Sequence, residues 1–448
     1  MSDYMFVLEN HLNAEQSRVL ADVQTWAKDA NVSLFLTGGA MRDMLAGFPI
    51  RDLDFTIEGP VLKLSKALVQ QTGAEIVGTD ELRKRLELRF PAGVSAEIGM
   101  ARQEHYAKPG SKPQVQAASI HEDLRGRDFT INAIALSLNR ASRGLLIDPT
   151  NGLADIELKE IRAAYNYALY DDPSRMLRLI RFKVRLGYTI AERTLRQYHN
   201  AREAGLEAKI TPEALGAELR NIAEEANAGE ILHELEQEKL LPLFSPALQG
   251  PKLNLPGFAK LQKARQMVPF GAEFPVHNLG LFLYLVMEKL APKERTALIQ
   301  TAGLDKDDLS AWHKLEPAAK KLEAQLKSSS FQRASRLYAL LMKTPGEQIL
   351  FLMIKSTERL VNDRIKNYLQ KYLPMAMEVS DADVTAESGI ELGSPKFRKA
   401  KDEIIAKRLD ARPKKPQPPP EGEQPEGEAP GEAPPILAPS PGGRAASE

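Results

Sequence analysis

Cysteine is absent from all 448 residues, which excludes disulfides and any thiolate zinc site. No apolar run approaches the roughly 20 residues needed to cross a bilayer, and the N-terminus lacks a basic-then-apolar leader pattern. A soluble cytoplasmic protein is therefore expected. Net charge is missing too, because 60 basic residues balance 60 acidic ones. That balance excludes a uniformly basic binder but leaves room for a local basic groove. Histidine is scarce, at seven residues, with no adjacent His-Asp pair. The chain does have length, too much for one compact core, so two or more domains are expected.

The stretch from Ser33 to Gly59 carries the most chemistry. Leu34-Phe35-Leu36 reads as a buried strand broken by Thr37-Gly38-Gly39, with a helix from Met41 to about Leu45 and a stop at Gly47 and Pro49. A second strand follows, carrying Asp52 and Asp54 one residue apart. Strand side chains alternate, so both carboxylates point to one face. Two such groups repel unless a cation sits between them, and hard oxygen ligands suit Mg²⁺. Backbone N–H groups after Gly38 and Gly39 open a helix where a phosphate can be held, and Arg42 adds a charged fork. A lone Gly-Gly is usually a turn and a lone Asp-x-Asp usually a solvated edge. In this order, within about twenty residues, they assemble both halves of a phosphoryl-transfer site.

The order Gly-Gly-x-x-Arg-Asp, then Asp-x-Asp, resembles the first motif of the class II tRNA nucleotidyltransferases and bacterial poly(A) polymerases, within the polymerase-beta-like nucleotidyltransferase superfamily. The resemblance implies that Asp52 and Asp54 hold Mg²⁺ and that Glu97, on a later strand, is a third carboxylate. It places Gly38, Gly39, Arg42 and Asp43 on the nucleotide. It continues at Arg127-Asp128-Phe129-Thr130-Ile131-Asn132-Ala133, where Arg127 would touch phosphate or sugar and Asp128 would orient Arg127 or contact ribose. Asn132 follows about a helical turn later, and Gly126 stands where the family usually has an arginine. The run from Asp148 to Asp155 is similar to a third, structural motif joining the catalytic head to a neck.

A fourth match runs from Asp171 through Asp172, Pro173, Arg175 and Arg178. Asp172 and Pro173 suit the cap and first turn of a helix, and Arg175 and Arg178 then share a face. Asp172 can accept from an exocyclic amino group and Arg175 can donate to a ring nitrogen or carbonyl, so the pair suits the Watson–Crick edge of C or A. The resemblance implies this use, with Arg178 on the triphosphate or supporting the base. Arg220 is a weaker additional contact.

The rest of the chain sorts by pattern. Asn13 to Asp29 reads as an amphipathic helix with Asn13 and Gln16 as a capping box. Pro60 to Thr72 reads as another, with Leu62, Leu64, Ala67 and Leu68 inward. Arg102 to Ala118, with Pro109-Gly110 and Pro113, reads as a mobile loop. Helices are expected from Glu192 to Ile222 and from Ala228 to Leu243, with short breaks at Gly205, Pro212 and Gly229, and from Pro251 to about Leu409. The fold class expected is an α/β catalytic head with a mixed sheet, followed by an all-α neck, body and tail. The boundaries are 1–30 for an N-terminal helix packing on the head, 31–160 for the head, 161–250 for the neck, 251–410 for the body, and 411–448 for a disordered Pro/Glu/Gly-rich tail. The function implied is addition of CCA, or part of it, to tRNA from CTP and ATP with Mg²⁺. Untemplated poly(A) synthesis is the alternative.

Overall fold

The computed structural model describes residues 4–411, so the tail expected from 411 onward lies, beyond its first residue, outside the described residues. Two helices, α1 (Tyr4–His11) and α2 (Ala14–Asp29), precede the sheet. The Asn13–Gln16 capping box forms, and Val19, Leu20, Val23 and Trp26 are buried along one stripe of α2. Each fully buried side chain of this kind contributes about 1.5–3 kcal/mol.

The head is built on a mixed seven-stranded sheet of order β3-β4-β5-β2-β1-β8-β9. These strands are β1 (Ser33–Thr37), β2 (Leu53–Glu58), β3 (Glu75–Asp80), β4 (Arg85–Arg89), β5 (Ser95–Met100), β8 (Ala135–Ser137) and β9 (Leu146–Ile147). Only β2 and β5 pair in parallel, and their register sets Asp54 opposite Glu97. The crossover between them includes α4 (Val61–Thr72), which ends at Gly73 in the left-handed conformation, φ 69°. Ala67 is exposed on this helix, contrary to expectation, because the buried stripe is the narrower one through Val61, Leu68 and Thr72.

Two further readings change at the site. The helix after β1 is α3 (Gly38–Leu45), starting three residues earlier than expected. Gly38 opens it at φ +62°, a left-handed conformation that glycine adopts without a Cβ penalty. Residues 102–117 form an antiparallel hairpin, β6 (Arg102–His105) with β7 (Gln114–Ala117), where a mobile loop was expected. Its strands are polar on both faces, so the period that marks a half-buried strand is missing, and Pro109-Gly110 lies in the turn.

Helices follow the head: α5 (Ile120–Arg125) and α6 (Gly152–Glu157) on its edge, then α7 (Ala168–Asp171), α8 (Arg175–Leu186), α9 (Glu192–Glu203), α10 (Pro212–Ala223) and α11 (Ala228–Gln237). Pro212 takes the first-turn position of α10, whereas Gly229 lies inside α11 and marks no break. A side chain at Gly229 would meet Phe258 at 2.7 Å, so this glycine permits close helix packing. Ten more α-helices run from Leu255 to Asp410. One apolar core is continuous from Met5 to Leu373, and a smaller one joins Ala376, Val384, Phe397 and Ile405. No helix among the described residues is long and apolar enough to cross a membrane.

Candidate active site

A cleft of about 800 Å³ opens where the sheet meets α8 and α10. From the head it is lined by Gly38, Gly39, Arg42, Asp54, Glu97, Arg127, Asp128 and Asn132. Asp172, Arg175 and Arg178 close it from the helical side. Eleven of the fourteen residues singled out in the sequence thus converge on one surface; Asp43, Asp52 and Arg220 do not line it.

Asp54 is held at the head of α3, where its Oδ2 accepts the Ala40 N–H at 3.0 Å. Asp52 lies just before β2, at the cleft edge, and not within the strand. Its carboxylate reaches solvent, yet surrounding protein and then the Asp54 charge push it up to about 6. Burial raises Asp54 as well, against hydrogen bonds and the charges of Arg42 and Arg127. Glu97 is pushed up to about 7, first by burial and then by Asp54, with Arg85 opposing at 3.0 Å.

Four neighbouring aspartates have a cationic partner: Asp43 with Arg42, Asp123 with Arg127, Asp128 with Arg178, and Asp172 with Arg175. Asp52 and Asp54 have no ion-pair partner within 4.0 Å among the described residues. Two unpaired carboxylates beside a cleft full of arginines are the donor set that a hard divalent cation fits. No cluster of three His, Asp or Glu side chains able to hold a metal occurs among the described residues.

The arginines are fixed by a closed ring of charge that joins head to helices. Arg42 donates to Asn132 Oδ1 at 2.7 Å, and Asn132 donates to Asp128 at 3.0 Å. Arg178 donates to Asp128 at 2.8 Å and lies 3.4 Å from Glu218. Arg181 bridges Glu218 and Glu225, at 3.1 and 3.2 Å. Arg185 returns from Glu225 to Asp43, at 3.5 and 2.8 Å, and Asp43 holds Arg42. Burial alone would raise Asp128, but the Arg178 and Arg175 charges outweigh it and hold the carboxyl at about 2. Breaking one buried pair in such a ring costs about 3–5 kcal/mol.

Asp43 is thus a link between Arg42 and Arg185, only 3% exposed, and not a cleft residue. Arg220 is likewise elsewhere: it grips Asp308 with two bonds of 2.9 and 2.6 Å, tying α10 to a later helix. Arg127 is anchored by Asp123 at 2.8 Å and reaches Thr56 at 3.1 Å. Asn132 ends a short 3-10 turn, so its approach to Asp128 is made without an α-helix. Asp172 accepts from the Ser174 N–H and hydroxyl, closing a turn ahead of α8, which starts at Arg175 and not at Pro173.

Sequence reasoning missed Glu218 and Glu225, although their seven-residue spacing matches that of Arg178 and Arg185. It also missed Glu104, which binds Arg83 and Arg102 and accepts from Tyr106 on the hairpin wall. Burial raises Glu104, but Arg102 and Arg83 overcome it and hold the group at about 2.

A mixed sheet thus brings a Gly-Gly helix start, an acidic couple without ion-pair partners and a wall of arginines to one region. Residues 34–162 match the family described as the poly A polymerase head domain. An A-adding tRNA nucleotidyltransferase of Aquifex aeolicus is 28% identical over 386 residues, covering 83% of this chain and 45% of the relative. A CC-adding tRNA nucleotidyltransferase of Deinococcus radiodurans is 34% identical over 206 residues, 46% of this chain and 54% of the relative. The chain thus spans about half the length of these curated relatives. The structure is similar to that of a CCA-adding enzyme in an apo form, with TM-score 0.54, 25% identity and coverage of 93% and 96%.

Proposed function

We propose that this chain adds CCA, or part of it, to tRNA 3′ ends from CTP and ATP, without a nucleic-acid template. One observation carries the reading: Asp54, in the cleft, and Asp52, whose carboxyl the Asp54 charge raises, both lack an ion-pair partner among the described residues. They stand beside the helix start that suits a phosphate.

Asp52 and Asp54 would hold Mg²⁺, whose chemistry in such a site is to acidify the RNA 3′-hydroxyl and offset charge on departing pyrophosphate. The chain's own groups do the rest. The N–H groups at the start of α3 and the Arg42 fork face the triphosphate. Arg127, anchored by Asp123, presents charge to phosphate or sugar, and Arg178, set by Asp128 and Glu218, faces the same space. Asp172 and Arg175 read the base edge. The division at 31–160, 161–250 and 251–410, with RNA held by the later helices, belongs to this proposal.

The test is incorporation with Mg²⁺ on three tRNA transcripts, ending before CCA, after C and after CC, with CTP and ATP supplied singly and together. Addition that stops at CCA identifies the full activity. A stop at CC, or extension of only the CC-ending transcript, identifies a partial one. Long A tails from ATP alone would make it a poly(A) polymerase, the alternative that the head family's description keeps in view.

A further inference from the structure

Arg175 enters the cleft already held. Its Nη1 donates to the Tyr165 hydroxyl at 3.0 Å and to the Ala168 carbonyl at 3.3 Å. Its Nη2 donates to the Gly126 carbonyl at 3.3 Å. The Tyr165 ring lies under the guanidinium, 5.6 Å from centroid to carbon, and the Tyr165 hydroxyl donates onward to Asp171 Oδ2 at 3.1 Å. A guanidinium has five N–H groups, and three of them are engaged by these contacts. The two that remain are Nε–H and the second hydrogen of Nη2. Nε lies 3.9 Å from Asp172 Oδ2, so the open edge of Arg175 lies beside the carboxylate.

We propose that Tyr165 is a specificity-determining positioning residue: its hydroxyl and ring fix which edge of Arg175 is presented to the incoming base. This inference rests on the nucleotide-selecting reading of the cleft. Cytosine offers an amino group followed along its edge by two acceptors, N3 and O2. Adenine offers an amino group and a single acceptor, N1. An Asp172 acceptor beside a two-donor Arg175 edge is therefore filled completely by cytosine and only partly by adenine. Without the Tyr165 hydroxyl, Nη1 loses a partner and the edge is no longer fixed. Cytosine, which needs both donors in place, loses more than adenine.

Gly126 bears on the same arrangement through its backbone. Its carbonyl is the third anchor, and a Cβ there would meet nothing closer than 3.6 Å. A side chain at 126 is thus compatible with the latch, whereas loss of the Tyr165 hydroxyl is not.

Equilibrium binding of CTP and of ATP, each with Mg²⁺ and without RNA, tests the inference in the full chain and its Tyr165→Phe variant. The expected result is that CTP weakens on the order of tenfold, as loss of one charged hydrogen bond implies, and ATP by less than about threefold. Asp171→Ala, which removes only the hydroxyl's other partner, should shift the ratio the same way by a smaller factor. Equal weakening of both nucleotides would mark Tyr165 as merely structural, and an unchanged ratio would equally overturn the proposal. Nucleotide binding with no RNA extension by the unaltered protein would sink the RNA reading and leave the role of Tyr165 standing. Failure of the unaltered protein to bind either nucleotide would overturn both.

Discussion

Gly39→Ala isolates the placement of Asp54 from the backbone strain that usually accompanies glycine replacement. Gly39 is not at positive φ, so alanine is conformationally acceptable there. A Cβ at this position, however, would lie 2.9 Å from Asp54 Oδ2, the atom that accepts the Ala40 N–H at 3.0 Å. Ordinary carbon-to-oxygen contacts are about 3.3–3.6 Å, so the carboxylate must retreat by about half an ångström. That stretches its hydrogen bond beyond useful length, a loss of about 1.5–3 kcal/mol for a charged acceptor. Misplacement by about 1 Å costs reactions of this kind about a hundredfold, so a loss between tenfold and a hundredfold in turnover is expected. Gly47→Ala is the control. Gly47 has φ +75° with nothing within 4 Å of an added Cβ, so only backbone strain of about 1 kcal/mol applies. Urea unfolding and single-nucleotide incorporation on both variants separate the effects. Gly39→Ala turning over at the wild-type rate would refute the reasoning.

Gly110 sits at the hairpin tip with φ +69°, donates its N–H to the Asp171 carbonyl at 3.1 Å, and leaves a Cβ only 2.5 Å from the Lys209 carbonyl. Gly110→Ala should lift the tip, raise the nucleotide KM several-fold and expose residues 108–113 to protease; unchanged KM and cleavage would count against a docked wall. Acid should also weaken the head-to-helix ring. Asp128 lies below its ordinary 3.8, at about 2, so its pairing stabilises the fold fully above about pH 4 and is lost as pH falls toward 2. The amount is on the order of 2 kcal/mol. Urea midpoints at pH 5 and pH 3 should converge in Asp128→Asn relative to wild type, and equal pH slopes in the two proteins would contradict it.

The first motif was legible because its chemistry is local: strand, glycine turn and acid pair follow within 27 residues, Ser33 to Gly59, and local order survives into the fold. Asp54, Arg127 and Arg175 could be placed for the same reason. Asp43 could not, because a carboxylate next to an arginine reads alike whether it faces ligand or a partner 142 residues away, here Arg185. Arg220 failed similarly, since Asp308 lies on a helix whose packing no local pattern reveals. The hairpin was hidden by polar strands that bury little. Tyr165 carried no periodic or motif signal; only the direction of the Arg175 side chain gives it meaning.

The measurement that tests the central claim most directly is Mg²⁺-dependent incorporation from CTP and ATP into tRNA transcripts by the wild-type chain and by Asp54→Ala, with tRNA binding measured alongside. The account predicts extension by the wild type, and for Asp54→Ala retained tRNA binding with incorporation abolished. Undiminished extension by Asp54→Ala would contradict it.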